Sequence, residues 1–172
     1  KIIQEKYEEG IEIFYLMIIQ RLVSSSNDAA KRALKLMKKR EYVDQMEYDE
    51  LIEISNRIKI DTKAIELLKI LEQQKDEKFL IFVEWKPTLA YLTKLLTKNG
   101  YTVTQFYGDL NLFERNESVE RFRGETQIMI STSAGGYGQN FQFCSNVVNY
   151  DLPWNPMKVE QRIGRVNRIG QK

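Results

Sequence analysis

The sequence predicts an α/β domain with a mostly parallel sheet sandwiched between helices in three layers, preceded by a helical segment. Two features carry this reading. From Phe79 onward, short apolar runs alternate with stretches of helical spacing, the pattern of strand–helix–strand units. Upstream, residues 1–76 contain no proline and a single glycine, and their apolar positions recur at helical intervals. The expected division is therefore a helical segment over 1–76 and an α/β domain over 77–172.

In the helical segment, Ile2 to Val23 is so densely apolar that a helix there must pack on more than one side. Ser24-Ser25-Ser26-Asn27-Asp28 supplies cap chemistry for a second helix over Ala29 to Arg40. A third runs through Tyr42 to Ile58, and Asp61-Thr62 caps a fourth with Ile65, Leu68 and Leu71 on one face. Phe79 to Val83 is an unbroken apolar run, as expected of a strand buried on both faces. Pro87 to Lys98 has helical spacing and closes on Asn99-Gly100. A strand near Tyr101 to Tyr107, a helix from Leu112 to Phe122 stopped by Gly124, and strands at Gln127 to Thr132 and Asn146 to Leu152 follow. The last helix starts at Pro156, where proline suits the first turn. Ligands of such sheets gather at the carboxyl ends of the strands. That places Glu84 to Lys86, Tyr107 to Asp109, Ser131 to Asn140 and Asp151 to Asn155 along one edge.

Composition narrows the chemistry. With no histidine and one cysteine, Cys144, the chain holds no Ser-His-Asp triad, no Cys-His pair and no internal disulfide, and no metal-ligand set is expected in it. No apolar run reaches the ~20 residues of a membrane span, and the first residues lack the pattern of a signal peptide. The formal net charge is only +2, but Lys158, Arg162, Arg165, Arg168 and Lys172 face Glu160 alone in the last fifteen residues. A basic terminus of this kind attracts phosphate, although by charge alone a solvated helix face is the more ordinary reading.

Two segments carry more specific chemistry. Ser131 to Gln142 places Gly135, Gly136 and Gly138 just after a strand, beside hydroxyl side chains; such a loop lets backbone approach a phosphate or sugar, and a tight strand-to-helix turn explains it about as well. In Gln161-Arg162-Ile163-Gly164-Arg165-Val166-Asn167-Arg168-Ile169-Gly170-Gln171, Gln161, Arg165 and Arg168 share one face if the segment is helical. Two guanidiniums on one stripe suit phosphate. No glycine precedes a lysine, so the phosphate-cradling Gly-Lys-Ser/Thr loop does not occur. Asp49-Glu50 and Asp76-Glu77 sit in helical context and read as surface charge.

With these segments in order, residues 79–172 resemble the second RecA-like lobe of superfamily 2 helicases, and in detail the SWI/SNF-type DNA translocases. Phe79 to Trp85 is similar to motif IV, Tyr107-Gly108-Asp109 through Arg115 to the segment after it, and Ser131 to Gln142 to motif V. Tyr150-Asp151-Leu152-Pro153-Trp154-Asn155-Pro156 resembles the Asp-x-x-Trp-Asn-Pro element, and Gln161 to Gln171 motif VI. Val166-Asn167 stands where eukaryotic members commonly have Ala-His, which points to bacterial or phage relatives and leaves that histidine's accessory role vacant. Arg21 to Ser25 resembles a segment of the helical insertion between the lobes, so residues 1–76 are expected to be that insertion.

The resemblance implies roles. Arg165 and Arg168 match arginine fingers that reach the γ-phosphate of ATP, with ATP and Mg²⁺ held mainly by a first lobe upstream in the same polypeptide. Gly136, Gly138, Asn140 and Gln161 match nucleotide-binding positions, and Lys86, Gly108, Thr132, Ser133, Trp154 and Asn155 positions that contact DNA; core packing is the competing reading of Trp154. It implies the motor lobe of an ATP-dependent translocase on double-stranded DNA, cytoplasmic and nucleoid-associated, inactive without its first lobe, with any protein partner left open. A lobe of a strand-separating DNA or RNA helicase, or a non-enzymatic module that binds phosphate or protein, are the alternatives.

Overall fold

The computed structural model describes residues 13–132 and 141–166. The chain divides into two compact units, one ending at Asp61 and one beginning at Thr62.

The first unit contains α1 (Ile13–Ser25), α2 (Asn27–Lys39) and α3 (Gln45–Arg57). The part of the expected first helix before Ile13 lies outside the described residues. Leu16, Ile19 and Leu22 of α1 are buried, as are Ala29, Ala33 and Met37 of α2, and the two small alanines let α2 pack closely on its neighbour. Ser26 caps α2 by accepting from Ala29 N at 3.1 Å. α3 starts later than its apolar pattern suggests because Asp44 and Glu47 form a reciprocal capping box, with bonds of 2.8 and 2.9 Å. Asn27 ties the ends together: its Nδ2 donates to Ser55 O at 2.9 Å, its Oδ1 accepts from Ser55 Oγ at 2.6 Å, and its N–H donates to Asp61 Oδ2 at 3.1 Å.

In the second unit come α4 (Thr62–Gln73), β1 (Phe79–Val83), α5 (Lys86–Lys98), β2 (Val103–Phe106), α6 (Leu112–Arg123), β3 (Ile128–Thr132), β4 (Asn146–Asn149) and α7 (Pro156–Ile163). The strands form one sheet, all parallel, in the order β2-β3-β1-β4. β1 and β3 are in register from Phe79 opposite Ile128 to Val83 opposite Thr132, and every residue of both is buried. Alternation along β1 separates two cores. Phe79, Ile81 and Val83 pack with Ala64, Leu67 and Leu71 of α4 and Leu89, Leu92 and Leu96 of α5. Leu80 and Phe82 face Val119 and Phe122 of α6 together with Phe141, Cys144 and Val166. The expected three layers are thus present.

One expectation about α4 changes. Its buried residues are Ala64, Leu67 and Leu71, while Ile65 is exposed and Leu68 half-buried. The inner face is turned by one position, so that Ala64, Leu67 and Leu71 rather than Ile65 share the core with β1 and α5. These side chains share a core with β1, and the helix belongs to the compact unit that begins at Thr62.

Local closures follow the expected chemistry. α5 ends on Asn99, and Gly100 takes a φ of +88°, a left-handed conformation that side chains disfavour. Asn111 and Glu114 box the start of α6, and Gly124 ends it. Cys144 is fully buried, its thiol donating to Lys78 O at 3.3 Å, and burial pushes its pKa above the usual thiol range. Among the described residues no helix is long and apolar enough to cross a membrane.

Candidate functional site

Adjacent strands β1 and β3 send their chain to opposite faces of the sheet: β1 leads into α5 on one side, and β3 leads toward Phe141 and Cys144 on the other. Such a reversal opens a crevice at the carboxyl ends of the strands. Glu84, Trp85, Tyr107, Thr132, Asn149 and Asp151 all lie at or just beyond those ends.

The best-ordered chemistry there centres on Arg162, near the end of α7. It is only 3% exposed, so it is no part of a solvated basic face. Its Nη1 donates to Asn149 Oδ1 and to Asp151 O, both at 2.9 Å, its Nη2 pairs with Glu84, and the guanidinium lies 4.9 Å from the Phe82 ring centroid. One arginine thereby joins α7 to the ends of β1 and β4. Asp151, 7% exposed, continues the network: Oδ1 accepts from Lys63 Nζ at 2.9 Å and Oδ2 from Glu84 N at 3.0 Å. Lys63, on α4, also sits 4.2 Å from the centroid of the Tyr150 ring. Each buried charge here meets an opposite charge and further hydrogen bonds, the condition under which burial of ions is tolerated.

α7 itself is set by Asn155, whose Oδ1 accepts from Met157 N at 3.0 Å as the N-cap, and by Pro156 in the first turn. Its end departs from the expected uniform helix. Helical bonding persists to Gly164 N, which donates to Glu160 O at 2.8 Å, but Arg165 N turns to Arg162 O at 3.3 Å and Val166 N to Ile163 O at 3.0 Å. The tightened turn means that Gln161 and Arg165 are not successive residues of one α-helical face. Gly164 fits the tight turn: a Cβ there would lie 3.3 Å from Glu160 O. Arg165 is half-buried, and its carbonyl accepts from Phe141 N at 3.1 Å, joining this turn to the segment that follows the glycine-rich connection.

The other candidates are spread along the same edge. Lys86 pairs with Asp109 and sits 5.6 Å from the Tyr107 ring centroid; Gly108 O accepts from Arg115 Nη2 at 2.7 Å, and Leu110 O accepts from Arg115 Nε at 2.9 Å, which shapes that loop. Trp154 is 61% exposed, against the core-packing reading, and Gln161 is exposed as well. Thr132 is 5% exposed, so little of its own surface is available at the end of β3. Ser133, Gly136, Gly138, Asn140 and Arg168 lie outside the described residues. Residue patterns missed the network of Glu84, Asp151, Lys63, Asn149 and Arg162. The available signal was Glu84 directly after a fully buried strand, because a carboxylate in that place needs a cation.

A parallel sheet of this order, with a helix anchored by a buried arginine at its carboxyl edge, is the arrangement of a RecA-like lobe of the helicase class. Comparison with known proteins agrees. Residues 62–170 match the model of the helicase conserved C-terminal domain, and the chain belongs to that family. It is 35% identical to the uncharacterized ATP-dependent helicase YqhH of Bacillus subtilis, over 99% of this chain and 31% of that protein. To the RNA polymerase-associated protein RapA of Vibrio cholerae it is 33% identical, over 82% of this chain and 15% of the relative. The chain thus spans about a third of YqhH and less of RapA. Among solved structures, the C-terminal part of the Fun30 ATPase domain is similar with a TM-score of 0.56 and 30% identity, over 62% of this chain and 35% of that one. The Escherichia coli DEAD-box protein SrmB matches with a TM-score of 0.59 and 25% identity, over 64% of this chain and 65% of that one. The expected resemblance to the second lobe of superfamily 2 ATPases of SWI/SNF type stands.

Proposed function

We propose that this chain is the second motor lobe of an ATP-dependent translocase acting on double-stranded DNA. The observation that carries the reading is the anchoring of α7: buried Arg162 fixes the helix to the ends of β1 and β4, which holds the turn with Arg165 at the carboxyl edge. In the proposed enzyme Arg165 and Arg168 act as arginine fingers. ATP supplies the phosphoryl group and Mg²⁺ neutralises charge on it, both held mainly by a first lobe of the same polypeptide. The carboxylates at this edge support that assignment, since Glu84, Asp151 and Asp109 are each paired with a cation of this lobe. Gly136, Gly138, Asn140 and Gln161 serve nucleotide binding. Lys86, Gly108, Thr132, Ser133, Trp154 and Asn155 serve DNA contact, and exposed Trp154 offers an aromatic face beside the cap of α7. A cytoplasmic, nucleoid-associated protein follows from this role.

The intact protein provides the test. ATP turnover is expected to rise with duplex DNA without strand separation; ATP-driven displacement of a labelled strand would instead assign the lobe to a strand-separating helicase. The 172-residue chain alone is expected to show no ATP turnover. Steady hydrolysis that survives purification and vanishes on Arg165→Ala would overturn that expectation.

A further inference from the structure

The first unit carries a concentration of charge that the lobe chemistry does not use. Six of the ten residues from Lys31 to Arg40 are cations, and no carboxylate occurs between Asp28 and Glu41. At about 100° per residue, Lys31, Arg32, Lys35, Lys38 and Lys39 fall within an arc of roughly 120° on α2. Buried Ala29, Ala33 and Met37 occupy the opposite side, so packing presents the basic arc to solvent. Arg40 departs from it and lies 5.3 Å from the Tyr15 ring centroid.

Single cations without an ion pair, such as Lys59, Lys94 and Lys98, occur elsewhere among the described surface residues; the α2 cations differ in standing five together on one face. Arg57, Lys69, Lys75 and Arg123 each pair with a glutamate three or four residues earlier in the chain. Among the described residues none of the five on the α2 arc makes an ion pair, although Asp28 begins the same helix and α3, which packs on α2, carries Glu47, Asp49, Glu50 and Glu53. Like charges held along one rigid face repel one another, and a row of phosphates relieves that repulsion. Lys31 and Lys39 are separated by about 12 Å along the axis, a length over which duplex DNA presents roughly seven phosphates at one per 1.7 Å.

We infer that the basic face of α2 is a second DNA-contact surface, binding the phosphate backbone of the duplex without reading its sequence. The inference rests on the duplex-DNA reading above, and adds an anchor on the helical unit to the contacts of the lobe. Neutralising Arg32, Lys35 and Lys39 together with glutamine preserves helix propensity.

Fluorescence anisotropy of the 172-residue chain with a labelled duplex of arbitrary sequence, titrated across a salt series, tests it. The triple variant is expected to lower the slope of log affinity against log salt by up to about 2.7, some 0.9 per lost phosphate contact, and to weaken binding roughly 10- to 100-fold at low salt. Its melting temperature should match that of the parent. An unchanged slope and affinity in the triple variant, with Lys86→Gln still weakening binding, would overturn the α2 surface and leave the lobe's reading intact. Failure of the parent chain to bind duplex at all would overturn both. Stronger binding of poly-glutamate than of duplex, lost in the triple variant, would assign the face to an acidic protein and overturn the DNA inference.

Discussion

α2 and α7 are both short basic helices, and their cations have opposite fates. On α2 the charges lie across the helix from its buried alanines and meet no carboxylate among the described residues. On α7 the arginine nearest the sheet is buried and holds Glu84, Asn149 and the Asp151 carbonyl at once. The contrast teaches that a count of positive residues does not measure positive surface. A guanidinium can be a structural fastener where carboxylate and carbonyl oxygens surround its planar fork, as at Arg162, whereas the α2 cations, Arg32 among them, make no ion pair among the described residues.

The contrast can be broken or sharpened by experiment. The largest expected effect is on turnover: in the intact protein, Arg168→Lys and Arg165→Lys should each lower ATP hydrolysis by ~10³- to 10⁵-fold, as for lost arginine fingers, with melting temperature and ATP affinity nearly unchanged. A variant that melts several degrees lower yet turns over normally per folded molecule would move that arginine to the structural class of Arg162. Next comes Arg162→Ala, expected to cost about 3–5 kcal/mol in urea unfolding because Glu84 is left without its cation. A loss within the usual surface range of about 0.5 kcal/mol would erase the distinction between the two helices.

Alkaline titration gives a smaller effect on the far side of the sheet. Burial raises the folded pKa of Cys144 above its unfolded value, so its stabilising contribution is complete below about pH 8.5 and is lost as pH rises through the folded pKa, at about 1.4 kcal/mol per unit of difference. Cys144→Ala should therefore flatten the fall in stability above that pH. A parallel pair of curves would refute the assignment. Asn155→Ala should cost about 1 kcal/mol as a lost cap of α7, read by thermal melting. If Asn155 also touches DNA, the affinity loss of the variant will exceed what its small stability change explains.

Element positions were largely legible. β1 was readable because burial on both faces leaves no polar alternation, and α5 and α6 because Asn99-Gly100 and Gly124 punctuate them. The inner face of α4 was not, since Ile65 looks like the better core residue and which side of the helix meets the side chains of β1 and α5 is fixed only in the folded chain. The basic arc of α2 was hidden by the acidic residues that flank it in the chain, which cancel it in any long window.

By itself the sequence determined the alternation of strands and helices, the helicase motifs in their order, and the residues gathered at the carboxyl edge. These depend on local spacing and on side-chain types, which are present in the chain before it folds. Only the tertiary structure decided that Arg162 is a buried fastener, that Asp151 bridges Lys63 to the backbone of Glu84, and that the helix end tightens into i→i−3 turns at Arg165 and Val166. Lys63 and Asp151 are 88 residues apart and Glu84 and Arg162 are 78 apart, so each ion pair exists only because the fold brings a helix, α4 or α7, to the carboxyl ends of β4 or β1.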